Sequence, residues 1–188
     1  MRSADYTFRT VWRVAGTLGE VTTVLGDADA LSRWWPTVYL RVTPVEEGAA
    51  NGVGRALALH TKGWLPYTLR WTLRICEPIT DAGFALTAEG DLQGFGRWTF
   101  VPDGPEVEIV YDWRVRAAKP LLQQLSWLLK PVFAANHRWA MARGEESLRL
   151  ELRRRRATTA AERGRVPPPR PPTFRRSAAS LARGTCGS

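Results

Sequence analysis

A chain of 188 residues, 44% of them hydrophobic, suits one packed domain with an appendage. The formal charge of +9 is confined to one end: 17 Lys and Arg balance 17 Asp and Glu up to Leu152, and from Arg153 onward ten arginines meet one acid, Glu162. The sequence pI of about 10.5 therefore describes the end of the chain, which excludes an argument for nucleic-acid binding from global charge.

Cys76 and Cys186 are the two cysteines, one in a strand-like run and one near the end, so neither a disulfide framework nor a thiolate metal site is expected. No apolar run reaches the roughly 18–20 residues needed to span a bilayer. Met1 to Thr10 is polar and alternating, without the apolar core of a signal peptide, and the expected compartment is the cytoplasm.

Tyr6, Phe8, Thr10, Trp12 and Val14 alternate with polar or charged neighbours, which marks a strand with one face in a core. Thr17 is placed to cap a short helix carrying Val21, Val24 and Leu25, and Gly26 ends it. A second short helix from Asp27 to Trp34 stops before Pro36. Six strand-like runs follow: Val38–Glu46, Val53–Thr61, Tyr67–Cys76, Phe84–Glu89, Phe95–Val101 and Glu106–Arg116. Short turns between them imply an antiparallel meander with one wet face.

Leu121 to Leu129 reads as a short helix, and Pro131 is expected to open a new one, because proline fits a first turn better than an interior. The main helix then runs to about Arg155. Phe133, His137, Ala140, Met141, Gly144, Leu148 and Leu152 fall on one side of it, with Arg138, Glu145, Glu146 and Arg149 opposite. Beyond Arg156 the apolar pattern collapses. Domain organisation is therefore read as an α+β domain over residues 1–156 and a disordered Arg/Pro-rich tail over residues 157–188.

The order of strand, two short helices, six strands and long helix resembles the helix-grip, START-like superfamily (SRPBCC), which includes polyketide cyclase/dehydrase-type proteins and lipid binders. Arg33-Trp34-Trp35-Pro36, Lys62-Gly63-Trp64-Leu65-Pro66-Tyr67, Gly96-Arg97-Trp98-Thr99-Phe100 and Tyr111-Asp112-Trp113 carry the likeness, together with Asn136-His137-Arg138-Trp139-Ala140-Met141 in the last helix. It implies a seven-stranded curved antiparallel sheet wrapped around the C-terminal helix. On such a scaffold the function is set by the site and not by the fold.

Catalytic inventory is thin. No metal-ligand cluster and no phosphate-binding glycine loop is visible, and no cofactor is expected. Glu108 and Asp112 have outward parity. His137 sits mid-stripe, as a ligand contact or acid/base, or as a core histidine bonded to a neighbour. Asn136, at the stripe's edge, contacts either a ligand or backbone. His60 faces water if Thr61 pairs with Tyr67, and a one-residue shift turns it inward. Trp12, Trp71, Trp98, Tyr111 and Trp113 share inward parity, and Trp34 and Trp35 either gate a cavity or plug the end of the sheet.

The expected ligand site is a sheet–helix cavity formed by Trp35, Trp71, Trp98, Tyr111, Trp113, Phe133, Asn136, His137 and Met141. Binding or carriage of a hydrophobic small molecule (a lipid, isoprenoid or polyketide-like compound) ranks first. A metal-free cyclase, aromatase or dehydrase using His137, a lyase or isomerase, ranks second. Contact of the basic tail, including Arg153 to Arg156, with nucleic acid or acidic membrane ranks third.

Overall fold

The computed structural model describes residues 5–117 and 126–173. β1 (Asp5–Ala15) leads into α1 (Leu18–Gly26), a 3-10 turn at Ala28–Ala30 and α2 (Leu31–Trp34). Then come β2 (Tyr39–Glu46), β3 (Ala56–Lys62), β4 (Thr68–Ile75), β5 (Gly83–Gly90), β6 (Leu92–Asp103) and β7 (Glu106–Ala117). Helix α3 is described over Ser126–Arg156, and α4 covers Ala160–Arg165.

All seven strands form one antiparallel sheet in the order β1-β7-β6-β5-β4-β3-β2. Period-two alternation sets the faces. Trp12, Val14, Ile109, Tyr111 and Trp113 are buried on the inner face, where α3 packs. Outside, Arg9 pairs with Asp112 at 3.3 Å and Arg13 with Glu108 at 2.7 Å, so these acids are the solvated charges that their parity implies. Thr17 caps α1 through a capping box with Glu20, as its position suggests.

The sheet edges are treated differently. At β1 the Arg13 N–H donates to Glu145 of α3, and Arg149 donates to the Arg13 carbonyl. At the opposite edge β2 carries two register irregularities and Pro44.

Two contacts fix α3. Glu151 is buried and accepts hydrogen bonds from Arg33 of α2 and from Arg154 and Arg155 of its own helix. Burial would raise the Glu151 carboxyl, but the bonds from Arg155 and Arg33, then Arg154, outweigh it and hold the group below the usual carboxylate range. At Gly144 the backbone meets the indole of Trp35, and a Cβ built there would lie 2.3 Å from Trp35 Cζ2.

Two expectations are corrected. The helix does not restart at Pro131 but runs through it, so Ser126 to Leu129 belongs to α3. Leu121 to Leu125 lies outside the described residues. Proline removes one backbone hydrogen bond there, a loss the long packed helix tolerates. The segment after Arg156 was expected to be structureless, yet α4 has its own capping box from Thr159 and Glu162. Chain beyond α4 returns along the body: Arg154 donates to the Pro167 carbonyl, Arg170 pairs with Glu146, and Thr37 donates to the Arg170 carbonyl. Composition averages over the tail, whereas capping and backbone latching act residue by residue. The tail residues 174–188 lie outside the described residues.

Replacing Gly144 by Ala is expected to cost about 1–3 kcal/mol and by Leu more, because Trp35 is buried and has little room to move. Urea unfolding of both variants measures this, and wild-type stability for Leu would mean that α3 does not rest on Trp35.

Candidate functional site

Between the inner face of the sheet and α3 lies a cavity of about 170 Å³. Its wall holds eight of the nine expected residues: Trp35, Trp71, Tyr111, Trp113, Phe133, Asn136, His137 and Met141. Trp98 is the exception. Its parity is inward, but it stacks on Tyr111 at 4.0 Å, packs beside Trp12 and lines a smaller inner hollow of about 50 Å³. Alternation sets the face on which a side chain stands, and not its depth along the strand.

Aromatic packing shapes the wall. Trp71 and Trp113 lie with ring centroids 6.1 Å apart, Tyr111 stacks on Trp113 at 5.7 Å, and Phe133 meets Tyr6 and Tyr67 edge to face. Thr61 accepts a hydrogen bond from Trp71 Nε1 at 3.0 Å, which orients that indole. Tyr39, Tyr67 and Tyr111 also line the cavity, and burial pushes all three hydroxyls up, Tyr67 to about 12, so they stay protonated.

His137 projects from α3 into this space and stacks on Phe8 with centroids 4.0 Å apart. Burial, then the neighbouring Arg138, lowers its pKa to about 4, and its Nε2 is buried without a hydrogen-bond partner. A neutral imidazole remains, able to make one further hydrogen bond.

Asn136 resolves toward backbone. Its Oδ1 accepts from the N–H groups of Trp64 and Leu65 at 2.9 and 3.3 Å, pinning the β3–β4 loop to α3. Gly63 is needed beside it, since a Cβ there would lie 2.1 Å from Asn136 Oδ1. Thr61 pairs with Leu69 and not with Tyr67, and His60 pairs with Arg70 on the face opposite Thr61, outside the cavity wall. Trp34 and Trp35 are both buried, so neither gates an opening; Trp34 plugs the core and Trp35 forms part of the cavity wall.

Sequence reasoning passed over Lys62. It follows the inward Thr61 and so has outward parity, yet it is 9% exposed and lines the cavity. Its Nζ donates to the Thr173 carbonyl at 2.5 Å, and the Thr173 hydroxyl donates to the Gly63 carbonyl. Nothing local to β3 signals this burial, because the covering group comes from the other end of the chain. Among the described residues the cavity wall carries no carboxylate, and no group of His, Cys, Asp and Glu is placed to hold a metal ion. No helix among them is long and apolar enough to cross a membrane.

Similar architectures are known. The aromatase/cyclase Zhui from Streptomyces sp. R1128 superposes with a TM-score of 0.64 at 17% identity, covering 82% of this chain and 97% of that one. Norcoclaurine synthase from Thalictrum flavum, in complex with dopamine and hydroxybenzaldehyde, gives 0.58 at 15% identity over 84% and 91%. A START superfamily protein from Mycobacterium smegmatis gives 0.55 at 17% over 76% and 98%. At these identities the likeness is one of fold. No curated protein matches the sequence. The model of one family, described as polyketide cyclase/dehydrase and lipid transport, matches residues 6–153. With the helix-grip sheet and the aromatic cavity in place, the chain belongs to this polyketide cyclase/dehydrase and lipid transport family.

Proposed function

We propose that the chain binds or carries a hydrophobic small molecule in the sheet–helix cavity. One observation carries this reading: the wall is built from tryptophan, tyrosine and phenylalanine, and no carboxylate among the described residues stands on it to share acid–base work. Its size favours the smaller end of the ligand range. A dry cavity of about 150 Å³ accepts benzene, so about 170 Å³ suits one or two rings and not a long acyl chain unless the wall moves.

A second reading, a cyclase or aromatase-type enzyme, is favoured by His137 Nε2, which is buried and lacks a partner. The imidazole is neutral at physiological pH, so it stands in the proton-accepting form, and its pKa of about 4 makes it a weak base there. Zhui, an aromatase/cyclase, shares the fold, and norcoclaurine synthase was captured with small aromatic molecules. Tail-mediated contact with nucleic acid or acidic membrane draws less support. Arg154, Arg155, Arg156 and Arg170 are already paired with Glu151, Glu20 or Glu146 of the body.

Native mass spectrometry of freshly purified chain tests the binding reading. The expected result is an added mass of an aromatic or short apolar compound that is lost on mild unfolding. Turnover of such a compound, abolished in His137→Phe, would replace the first reading by the second. For a bound ligand with a polar head, His137→Phe is expected to keep the fold and weaken binding by about 1–3 kcal/mol, the worth of a buried hydrogen bond.

The same substitution separates a pH effect. The folded-state pKa of His137, about 4, lies below the ordinary value of 6.5, so protons favour the unfolded chain. The stability contributed by keeping the ring neutral is complete above pH 6.5 and is lost as pH falls toward 4. Over that window wild type is expected to lose up to about 3 kcal/mol relative to His137→Phe, read from paired urea titrations. Parallel curves would mean that the imidazole is solvated.

A further inference from the structure

We propose that Met141 is a specificity-determining gate between the main cavity and the inner hollow behind it. The site then takes one aromatic ring with a hydrogen-bonding group at one end and a short alkyl arm at the other. The inference deepens the binding reading above and rests on it.

The two spaces share a partition. Trp35, Tyr39, Trp71, Tyr111 and Met141 line both the cavity of about 170 Å³ and the hollow of about 50 Å³. Four of the five are held in place. Trp71 is fixed by its bond to Thr61, and Tyr111 is stacked on both Trp98 and Trp113. Trp35 is wedged against Gly144, and Tyr39 packs edge to face on Trp35 at 5.2 Å. Met141 is the fifth. Its unbranched side chain, with three rotatable bonds and a polarisable thioether, is the one suited to change shape inside a core. Behind it, Leu31, Ile75, Phe84 and Leu86 form the far wall of the hollow. An apolar wall facing empty space forfeits dispersion contacts, which an alkyl group entering the hollow restores.

Size and direction follow from the helix. On the scale by which about 150 Å³ holds benzene, about 50 Å³ holds roughly two carbons. His137 and Met141 are four residues apart on α3, so they stand one above the other, about one turn or 5.4 Å along the axis. That spacing is close to the length of a six-membered ring. A ring lying along α3 puts one end at His137, whose buried Nε2 lacks a hydrogen-bond partner, and the opposite end at Met141. A polar group at the first end supplies the missing hydrogen bond. A two- or three-carbon arm at the second turns the thioether aside and enters the hollow, and a longer arm is stopped by Phe84 and Leu86.

The test titrates the full chain calorimetrically with phenol and its 4-ethyl, 4-propyl and 4-hexyl derivatives. Each buried methylene is worth about fourfold in affinity. The 4-propyl compound is therefore expected to bind at least about tenfold tighter than phenol, and the 4-hexyl compound no tighter than the 4-propyl. Met141→Leu keeps the bulk but removes the flexible end. Ala28→Val fills the hollow from a residue that does not line the main cavity. Each variant is expected to cut the propyl advantage to below about threefold. Methyl NMR adds a readout that needs no variant: Met1 and Met141 are the two methionines, and the rotamer-sensitive carbon shift of Met141 should change with 4-propylphenol and not with phenol. No propyl advantage, an affinity that climbs on to 4-hexylphenol, or an advantage that both variants leave intact would place the arm outside the hollow. Any of these overturns the gate and leaves the binding reading standing, and the wild-type series with the methyl signal decides even if a variant fails to fold. Binding of none of the phenols removes the gate and the binding reading together for small aromatic ligands.

Discussion

Of the two contacts that fix α3, the one nearer the cavity is where the helix backbone at Gly144 rests on the Trp35 indole. Any side chain at position 144 would push the helix outward, and everything on the stripe N-terminal to it would move too. Met141, His137 and Phe133 stand on that stripe and close the cavity, so its depth depends on a glycine that does not line it. Below the contact the helix is packed solid: Leu148 and Leu152 are buried, and Glu151 is clamped by three arginines. Above it the space between helix and sheet is left unfilled. The hinge between filled and unfilled core is therefore a single residue pair.

Charge acts mostly within this molecule. The run Arg153 to Arg156 reads as a solvated helix end, yet Arg154 and Arg155 satisfy Glu151, and Arg156 reaches Glu20 and the Ala15 carbonyl. The bonds from Arg156 and Thr17 hold Glu20 down to about 2, so this corner of the fold stays ionised across the physiological range. A basic segment that looks available for an acidic partner is in part the fastening of α3 to the first strand and helix.

Those features that depend on periodicity were legible in the sequence. Inward parity named Trp71, Tyr111 and Trp113, and helical spacing placed Phe133, His137 and Met141 opposite them. What periodicity cannot carry was misread or missed. Trp98 has the right face but sits one layer too deep, and of the two contacts open to Asn136 at the stripe's edge only the folded chain defines the loop backbone that it binds from the cavity wall. Glu151 was invisible to a count of apolar positions, and Lys62 was invisible because its partner lies more than a hundred residues away in sequence. Pro131 shows the converse: a strong local rule overruled by the packing of a long helix.

The two edges of the sheet carry a consequence for behaviour at high concentration. A strand edge normally offers a row of unpaired amide groups on which another chain can template. Here Glu145 and Arg149 of α3 occupy the N–H and carbonyl of Arg13 on the β1 side, while Pro44 lacks an N–H and the two irregularities break the spacing of β2. Each margin is interrupted at a defined place, which shortens the regular ladder open to edge-to-edge polymerisation although the sheet does not close into a barrel.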